Sequence, residues 1–196
     1  MKLKKVIRYS SQNINSKDIQ SVIKTLKSDF ITEGPIINKF EKSLCKFTHS
    51  KYATVVNSAS TATIIACDAL NLKKKDVIWT TPVTFVSSAN CAFYFGANVD
   101  FVDINKETFN IDVELLEKKL ISSKIKKRLP KILIVVHLGG NPCDLKRIKF
   151  LSKKYKFSII EDASHALGSK YGNVKIGNSI YSDITIFSFH PLKSIT

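Results

Sequence analysis

One stretch near the end of the sequence decides the fold: Asp183-Ile-Thr-Ile-Phe-Ser-Phe-His190-Pro-Leu-Lys193. Its apolar, nearly uncharged part predicts a buried strand, and Lys193 follows on a turn. A second apolar strand, earlier in the sequence, ends in Glu161-Asp162-Ala-Ser-His165. In parallel sheets, ligands gather at the carboxyl ends of the strands. The two stretches therefore predict a site where these two strands end.

The rest of the chain extends this pattern, because short apolar runs alternate with segments of helical periodicity. Strands are predicted at 52–56, 77–80, 99–102, 132–136, 157–160 and 184–189. Helices are predicted at 16–27 with Ser16 as N-cap, from Pro35 onwards, and at 60–70, 85–95, 113–121 and 145–155. Such alternation favours an α/β fold, a mostly parallel sheet with helices on both faces.

Composition narrows the class of protein. The 196 residues are 44% hydrophobic, which suits one large domain with a real core. No apolar run reaches the roughly 20 residues of a membrane span, and no apolar stretch follows the basic N-terminus as in a signal peptide. Four widely spaced cysteines suggest no zinc site and a reducing compartment, so we expect a cytoplasmic protein without a structural metal.

The net charge of +15 raises the possibility of a nucleic-acid-binding module. Only Arg8, Arg128 and Arg147 are arginines, whereas arginine is preferred where phosphates are recognised specifically. The many lysines favour a solvated surface over a nucleic-acid site, and they suit an anionic substrate such as a nucleotide diphosphate. No nucleic-acid partner is predicted.

Two polar segments follow the first two predicted strands. The first opens a helix with Ala59 and Ser60, and free N–H groups at such a helix start can cradle a phosphate. A simple Ser/Thr-rich helix cap explains the same residues. The second contains Phe85, which could stack on a planar ring. An ordinary core phenylalanine is the alternative.

The polar residues at the ends of the later strands are a more specific signal of a binding site. A carboxylate at Asp162 is costly at the end of an apolar strand unless a cation lies near, although Asp is also a common helix cap. A lysine that forms an imine and an aspartate that keeps a pyridine nitrogen protonated are what pyridoxal phosphate (PLP) needs. Lys193 and Asp162 match this pair, and His165 could contact the ring. A surface lysine and a structural histidine are the alternatives.

Several of these motifs together resemble those of a known protein family. The chain resembles the DegT/DnrJ/EryC1/StrS family of sugar-nucleotide aminotransferases, and within it the pseudaminic acid branch. The stretches that carry the resemblance are 28–35, 57–62, 79–90, 161–168 and 181–193. It implies the large domain of a type I (aspartate aminotransferase-like) PLP-dependent transferase. Residues 1–34 would form an N-terminal arm and helix, and residues 35–196 part of the PLP-binding domain.

The resemblance also implies roles for individual residues. Lys193 is similar to the catalytic lysine that binds the cofactor covalently and moves protons. The other implied cofactor-binding residues are Ala59, Ser60, Phe85, Asp162, His165 and Ser188. The implied substrate-binding residues are Tyr9, Asp29, Phe30, Ile31 and Thr32.

The implied reaction is transamination of a UDP-linked 4-keto-6-deoxy-N-acetylhexosamine, with L-glutamate as amino donor, in pseudaminic acid biosynthesis. A homodimer is implied for the full-length protein. Members of the family continue well past the lysine, so the chain is expected to be a truncated fragment that is inactive alone. Two alternatives remain open: an aminotransferase for another keto-sugar nucleotide, and a non-catalytic remnant that binds cofactor without turnover.

Overall fold

A five-stranded parallel sheet forms the centre of the protein in the computed structural model, which describes residues 11–195. Its strand order is β2-β1-β3-β4-β7, and every neighbouring pair is parallel. The strands are β1 (Val77–Thr80), β2 (Asn98–Phe101), β3 (Ile132–Val136), β4 (Ser158–Asp162) and β7 (Ile184–Ile186). The predicted α/β class is therefore confirmed.

Six α-helices accompany the sheet within the described residues. They are α1 (Ser16–Leu26), α2 (Pro35–Thr48), α3 (Ala59–Ala69), α4 (Ser87–Asn90), α5 (Val113–Ile125) and α6 (Leu145–Tyr155). Pro35 occupies the first turn of α2, as predicted, where its missing N–H costs nothing. The N-cap of α1 is Asn15 and not Ser16, because the Asn15 side chain and Asp18 form a reciprocal capping box.

Two buried clusters lie on opposite faces of the sheet. Along β3, Ile132 and Ile134 belong to one cluster and Leu133 and Val135 to the other, as the two-residue period of a strand requires. The first cluster includes residues of α3, and the second includes residues of α5 and α6. All five residues of β3 are buried, which explains its continuous apolar sequence.

Three expectations differ from the observed structure. Residues 52–56 are not a strand, although the stretch was predicted as one; the N–H of Val55 donates to Glu41 Oε1 (2.9 Å) instead. The predicted helix at 85–95 is divided into α4 and a 3₁₀ helix, Cys91–Phe95. A small antiparallel pair, β5 (Lys170–Tyr171) and β6 (Val174–Lys175), was not predicted, because two-residue strands carry no periodic signal.

The strand ends meet at one edge of the sheet, and this edge positions the candidate site. Val136, Asp162 and Ile186 are register partners across β3, β4 and β7. Glu161 lies on the α5–α6 side of β4 and Asp162 on the α3 side, because neighbouring strand residues face opposite ways. Asp162 thus lies at the carboxyl edge of the sheet. The neighbouring strand, β7, ends at the same edge, and the chain continues from there to Lys193.

Candidate active site

Asp162 is the fixed anionic point of the site. Its Oδ1 accepts hydrogen bonds from the backbone N–H (3.1 Å) and the hydroxyl (2.6 Å) of Ser164. Its Oδ2 accepts a hydrogen bond from Ser88 Oγ at 3.1 Å, and Ser88 Oγ in turn lies 3.2 Å from Thr84 Oγ1. The side chain is half-buried and accepts hydrogen bonds from α4 and from the turn after β4, so the protein itself fixes its orientation.

Lys193 and His165 are in direct contact. Lys193 Nζ lies 2.8 Å from His165 Nε2, and the backbone N–H of Gly139 donates to His165 Nδ1 at 3.3 Å. Burial lowers the pKa of His165 and the nearby Lys193 lowers it further, whereas the Asp162 carboxylate acts in the opposite direction. The structure therefore brings together the three residues that the sequence singled out at the ends of β4 and β7.

The turn after β7 determines where Lys193 lies. The N–H of Lys193 donates to the carbonyl of His190 at 2.8 Å, which closes the turn. Ser188 Oγ, which is half-buried, accepts from the N–H of His190 at 3.4 Å. Phe189 anchors the same turn through an edge-on contact with Phe40 of α2, with ring centroids 5.0 Å apart.

The start of α3 has the features of an anion site. Ser58 is the N-cap, and its Oγ accepts a hydrogen bond from the N–H of Thr61 at 3.1 Å. Helix geometry leaves the N–H groups of Ala59 and Ser60 without intrahelical acceptors. Ala59 also packs against the buried cluster that contains Ile186 of β7, so this helix start lies beside the last strand of the sheet.

Phe85 is not a core residue. Its side chain is 69% exposed, which excludes the core interpretation left open by the sequence. The carbonyl of Phe85 accepts from the N–H of Ser88 at 3.1 Å, so its ring is carried on the loop that braces Asp162. An exposed aromatic ring is available to stack on a planar heterocycle.

The predicted substrate residues are separate from this cluster. Asp29, Phe30, Ile31 and Thr32 form an exposed turn between α1 and α2, where the carbonyl of Phe30 accepts from Ser28 Oγ at 3.1 Å. Within residues 11–195, no hydrogen bond or ion pair joins this turn to the Asp162–His165–Lys193 cluster. Tyr9 lies outside the described residues.

Several site residues were missed by sequence reasoning. Ser88, Ser164 and Gly139 contact the predicted residues, but no pattern in the sequence singled out the Ser88 and Ser164 hydroxyls or the Gly139 N–H as donors. A buried pair also lies beneath the site: His137 Nε2 is 2.8 Å from Glu161 Oε2, and His137 Nδ1 accepts from the N–H of Cys143 at 3.1 Å. The dipeptide Glu161-Asp162 could have suggested this pair, because adjacent residues of a strand face opposite sides of the sheet and a carboxylate next to Asp162 must lie on the other side.

Two kinds of feature are lacking in the part of the chain that the structure describes. Residues 11–195 contain no group of three His, Cys, Asp or Glu side chains arranged to hold a metal ion. No helix formed by these residues combines the length and apolarity needed to cross a membrane.

Comparison with known proteins gives consistent matches. A transaminase of Campylobacter jejuni subsp. jejuni serotype O:23/36 (strain 81-176), UDP-4-amino-4,6-dideoxy-N-acetyl-beta-L-altrosamine transaminase, is 43% identical over 97% of this chain and 49% of its own length. Among solved structures, Helicobacter pylori PseC, an aminotransferase of pseudoaminic acid biosynthesis, superposes with a TM-score of 0.85 at 33% identity. That superposition covers 96% of this chain and 49% of PseC.

The Streptococcus pneumoniae protein Spr1654, solved in a PLP-form, superposes with a TM-score of 0.86 at 30% identity, over 97% of this chain and 50% of that protein. The chain thus spans about half the length of the relatives it matches. Residues 12–196 match the DegT/DnrJ/EryC1/StrS aminotransferase family. Because this match covers nearly the whole chain, the chain belongs to the DegT/DnrJ/EryC1/StrS aminotransferase family.

Proposed function

We propose that this chain carries the cofactor-binding half of a PLP-dependent sugar-nucleotide aminotransferase. One observation supports the proposal most directly. The Lys193 amine, 2.8 Å from His165, lies at the same sheet edge as an Asp162 carboxylate that three hydrogen-bond donors hold in place. An amine and an oriented carboxylate at neighbouring strand ends are the two groups that PLP chemistry requires of a protein.

The side chains present fit the cofactor. Each polar or planar part of PLP has a candidate partner of suitable chemistry at this edge of the sheet. The proposed pairs are the pyridine nitrogen with Asp162, the aldehyde with Lys193, the ring oxygen with His165, the ring face with Phe85, and the phosphate with Ala59, Ser60 and Ser188. Alanine at position 59 suits the helical start seen here.

When bound, the cofactor supplies an electron sink for the pair of electrons released at the amino donor. The chain's own residues hold the protons and move them. Asp162, fixed by Ser88 and Ser164, keeps the ring nitrogen protonated through a charge-assisted hydrogen bond. Lys193 Nζ acts as general base and then as general acid: it takes up a proton and later returns it. Its contact with His165 holds the amine in place.

For the substrate, we propose a UDP-linked 4-keto-6-deoxy-N-acetylhexosamine, aminated at the expense of L-glutamate in pseudaminic acid biosynthesis. The identity to the C. jejuni transaminase and the likeness to PseC support this choice. Tyr9 and the 29–32 turn are the proposed sugar-nucleotide contacts. An aminotransferase for another keto-sugar nucleotide is the second candidate, since few residues decide sugar specificity.

We also propose a domain organisation, an oligomeric state and a cellular location for the protein. Residues 1–34 are proposed as an arm and helix, and residues 35–196 as part of the PLP-binding domain. The full-length protein is proposed to be a homodimer. A cytoplasmic location is supported by four free cysteines, of which Cys67, Cys91 and Cys143 are buried thiols, as expected in a reducing compartment.

Addition of PLP to the purified chain tests the cofactor proposal. We expect a new absorbance band from the covalent adduct with Lys193, which borohydride reduction followed by peptide mapping would locate. Lys193→Ala abolishes the band, whereas Lys170→Ala, at an exposed position on β5, retains it. An adduct distributed equally over surface lysines would contradict the proposal. Release of keto acid from L-glutamate by this chain alone would contradict both the non-catalytic remnant and the expectation that the fragment is inactive alone.

A further inference from the structure

One buried side chain, that of Asn110, bridges the 138–141 turn that follows β3. Its Oδ1 accepts a hydrogen bond from the backbone N–H of Leu138 at 3.1 Å, and its Nδ2 donates to the carbonyl of Asn141 at 2.9 Å. An N–H must meet the amide oxygen and a carbonyl must meet the NH₂ group, so both bonds agree with one orientation of the amide. The Asn110 side chain therefore fixes the two ends of this turn relative to each other.

The loop between β2 and α5 holds Asn110 itself in place. The carbonyl of Asn110 accepts from the backbone N–H of Asn105 at 2.8 Å. The next residue, Ile111, is buried and forms an antiparallel bridge with Ile104. Asn110 is only 4% exposed, so its side chain acts on the turn and not on a ligand in solution.

The 138–141 turn is packed against the segment that carries His165. The backbone N–H of Gly139 donates to His165 Nδ1 at 3.3 Å, and the carbonyl of Gly140 accepts from Ser169 Oγ at 2.7 Å. A Cβ at Gly140, where φ is +83°, would lie 2.8 Å from the carbonyl oxygen of His165. A shift of the turn would therefore be felt directly at the histidine.

The Gly139 contact distinguishes the two orientations of the His165 ring. A rotation of 180° about the Cβ–Cγ bond exchanges Nδ1 with a carbon, which cannot accept a hydrogen bond from the Gly139 N–H. The observed orientation satisfies this N–H and places Nε2 on the side of Lys193. Since the donor is a backbone N–H, the orientation depends on where the turn lies and not on the charge of the lysine.

We propose that Asn110 is a positioning residue: by bridging the 138–141 turn, it sets the ring orientation of His165 so that Nε2 faces the cofactor site. The purpose of this orientation rests on the proposed function, in which His165 contacts the ring oxygen of PLP. The orientation itself is a property of the chain and is tested without cofactor. Because Asn110 is buried, its effect on a ligand has to pass through the turn and the histidine.

Amide hydrogen exchange, read by NMR in the ¹⁵N-labelled full chain, tests the bridge. Asn110→Leu removes both hydrogen bonds at similar volume. We expect exchange at Gly139 to accelerate roughly tenfold or more relative to Leu133 in β3, because the loss of two hydrogen bonds favours local opening of the turn. An unchanged ratio of the two exchange rates would overturn the proposal.

Ile78→Val is the control for a general loss of stability. Ile78 belongs to the buried cluster on the other face of the sheet from Ile111, and removal of its methylene group destabilises the protein without changing the 138–141 turn. The ratio of exchange rates at Gly139 and Leu133 should stay at its wild-type value in this variant. An equal rise in Ile78→Val and Asn110→Leu would show that Asn110 only contributes to overall stability.

The titration of the His165 ring reports its surroundings. Burial, the largest cause, lowers the pKa of His165. In Asn110→Leu, entry of water and loss of the Gly139 donor, which favours the uncharged ring, should both raise this pKa towards the ordinary value of about 6.5. The charged groups that affect it, Lys193 and Asp162, are the same in both chains. Proton NMR follows the ring, with His165→Gln to identify its signals, and an unchanged pKa would overturn the proposal.

Asn110→Thr serves if Asn110→Leu does not fold. Threonine is neutral and of similar size, and its hydroxyl can serve either the Leu138 N–H or the Asn141 carbonyl but is too short to bridge both. We expect changes in the same direction, faster exchange at Gly139 and a higher pKa of His165, but smaller than in Asn110→Leu. Wild-type values of both quantities in Asn110→Thr would contradict the proposed bridge.

A double-mutant cycle on PLP affinity shows whether Asn110 acts through His165. Asn110→Leu should weaken binding roughly fivefold in the wild-type background, about the contribution of one hydrogen bond, and should have no effect in a His165→Leu background. Equal weakening in both backgrounds would overturn the proposal. If the wild-type chain binds no PLP, the proposed function fails, and the exchange and titration measurements still decide the role of Asn110.

Discussion

Asp162 combines a charge with a fixed direction, and each depends on a different part of the chain. The charge comes from its own carboxylate, whereas its direction comes from Ser164 in the following turn and from Ser88 in the short helix α4. Ordinary carboxylates at a strand end rotate freely. This one has both oxygens engaged, so it can contact a ligand cation with little further loss of side-chain entropy.

Asp162→Asn should weaken PLP binding. The amide keeps the size of the side chain but removes the negative charge that favours a protonated pyridine. A charge-assisted hydrogen bond contributes about 1.5–3 kcal/mol, so we expect affinity to fall roughly ten- to hundredfold in an absorbance titration. Asp68→Asn, at an exposed position on α3, is the matched control. Unchanged affinity in Asp162→Asn would remove this residue from the proposed site.

Cys143 should be an unreactive thiol. Burial, and then the negative charge of Glu161, raise the pKa of Cys143 to about 12, and its Sγ donates to the carbonyl of Val136 at 3.2 Å. Since thiolates are the reactive form, we expect Cys143 to resist iodoacetamide at pH 8 under native conditions, whereas half-buried Cys45 is labelled. Labelling of Cys143 as fast as Cys45 in the folded chain would contradict this.

The same raised pKa links Cys143 to alkaline stability. The folded state retains the thiol hydrogen to higher pH than the unfolded state, so the unfolded state loses its proton first. The contribution to the free energy of unfolding is complete below pH of about 8.5 and declines as pH rises from there towards 12. Urea unfolding between pH 8 and pH 10 should therefore show a smaller loss of stability in Cys143→Ala than in the wild type.

At the residue scale, spacing along the sequence predicted Asp162, His165 and Lys193 because parallel strands end at a common edge. The contacts of Ser88 and Gly139 were not predictable in this way. Ser88 contacts Asp162 from the short helix α4, which follows β1, and the Gly139 donor depends on a turn with positive φ values. The conformation of a turn is not encoded by hydrophobic periodicity, which is the signal that located the strands.

At the scale of elements, burial on both faces decided which strands were predictable. β3 was predicted with its observed bounds because its neighbours β1 and β4 and both clusters surround it. Residues 52–56 (Tyr-Ala-Thr-Val-Val) are also mostly apolar but lack a paired strand among residues 11–195, and Tyr52 is 77% exposed. A segment becomes a strand only when it pairs with another strand, so its composition alone led to the wrong prediction of a strand at 52–56.

Gly177 should tolerate no side chain. Its φ is +91°, and a Cβ there would lie 2.8 Å from the Phe187 ring and 3.0 Å from Thr48 Cγ2. Backbone strain of about 1–2 kcal/mol and overpacking of about 1–3 kcal/mol should together lower the unfolding free energy of Gly177→Ala by roughly 2–5 kcal/mol. Urea denaturation measures the difference.

Gly172 provides the matched control for that substitution. It also has a positive φ, +59°, but a Cβ added there would meet no atom within 4 Å, because Gly172 is in the open turn between β5 and β6. Gly172→Ala should therefore lose only the backbone part, about 1–2 kcal/mol. An equal decrease in the free energy of unfolding of the two variants would show that the clash with Phe187 contributes nothing measurable to stability.

At the scale of the whole molecule, positive charge is spread over the surface and is only locally compensated. Arg147 interacts with Glu114 (3.5 Å) and Glu117 (3.7 Å), and Lys119 with Asp100 (2.7 Å), all at the surface. Exposed ion pairs of this kind contribute little to stability. The net charge of +15 therefore acts mainly as a long-range field that attracts anions.

This field should produce DNA binding that is weak, unspecific and sensitive to salt. A dispersed lysine surface can release counterions from any phosphate backbone but has few arginine forks to read a sequence. Fluorescence anisotropy with unrelated duplexes should give similar affinities at about 20 mM salt and a loss of roughly a hundredfold or more by about 200 mM salt. Lys193→Ala, which leaves the rest of the surface unchanged, should bind DNA as the wild type does. Preference for one sequence that persists at the higher salt concentration would instead favour the nucleic-acid-binding alternative, because only specific base contacts survive when the electrostatic contribution is screened.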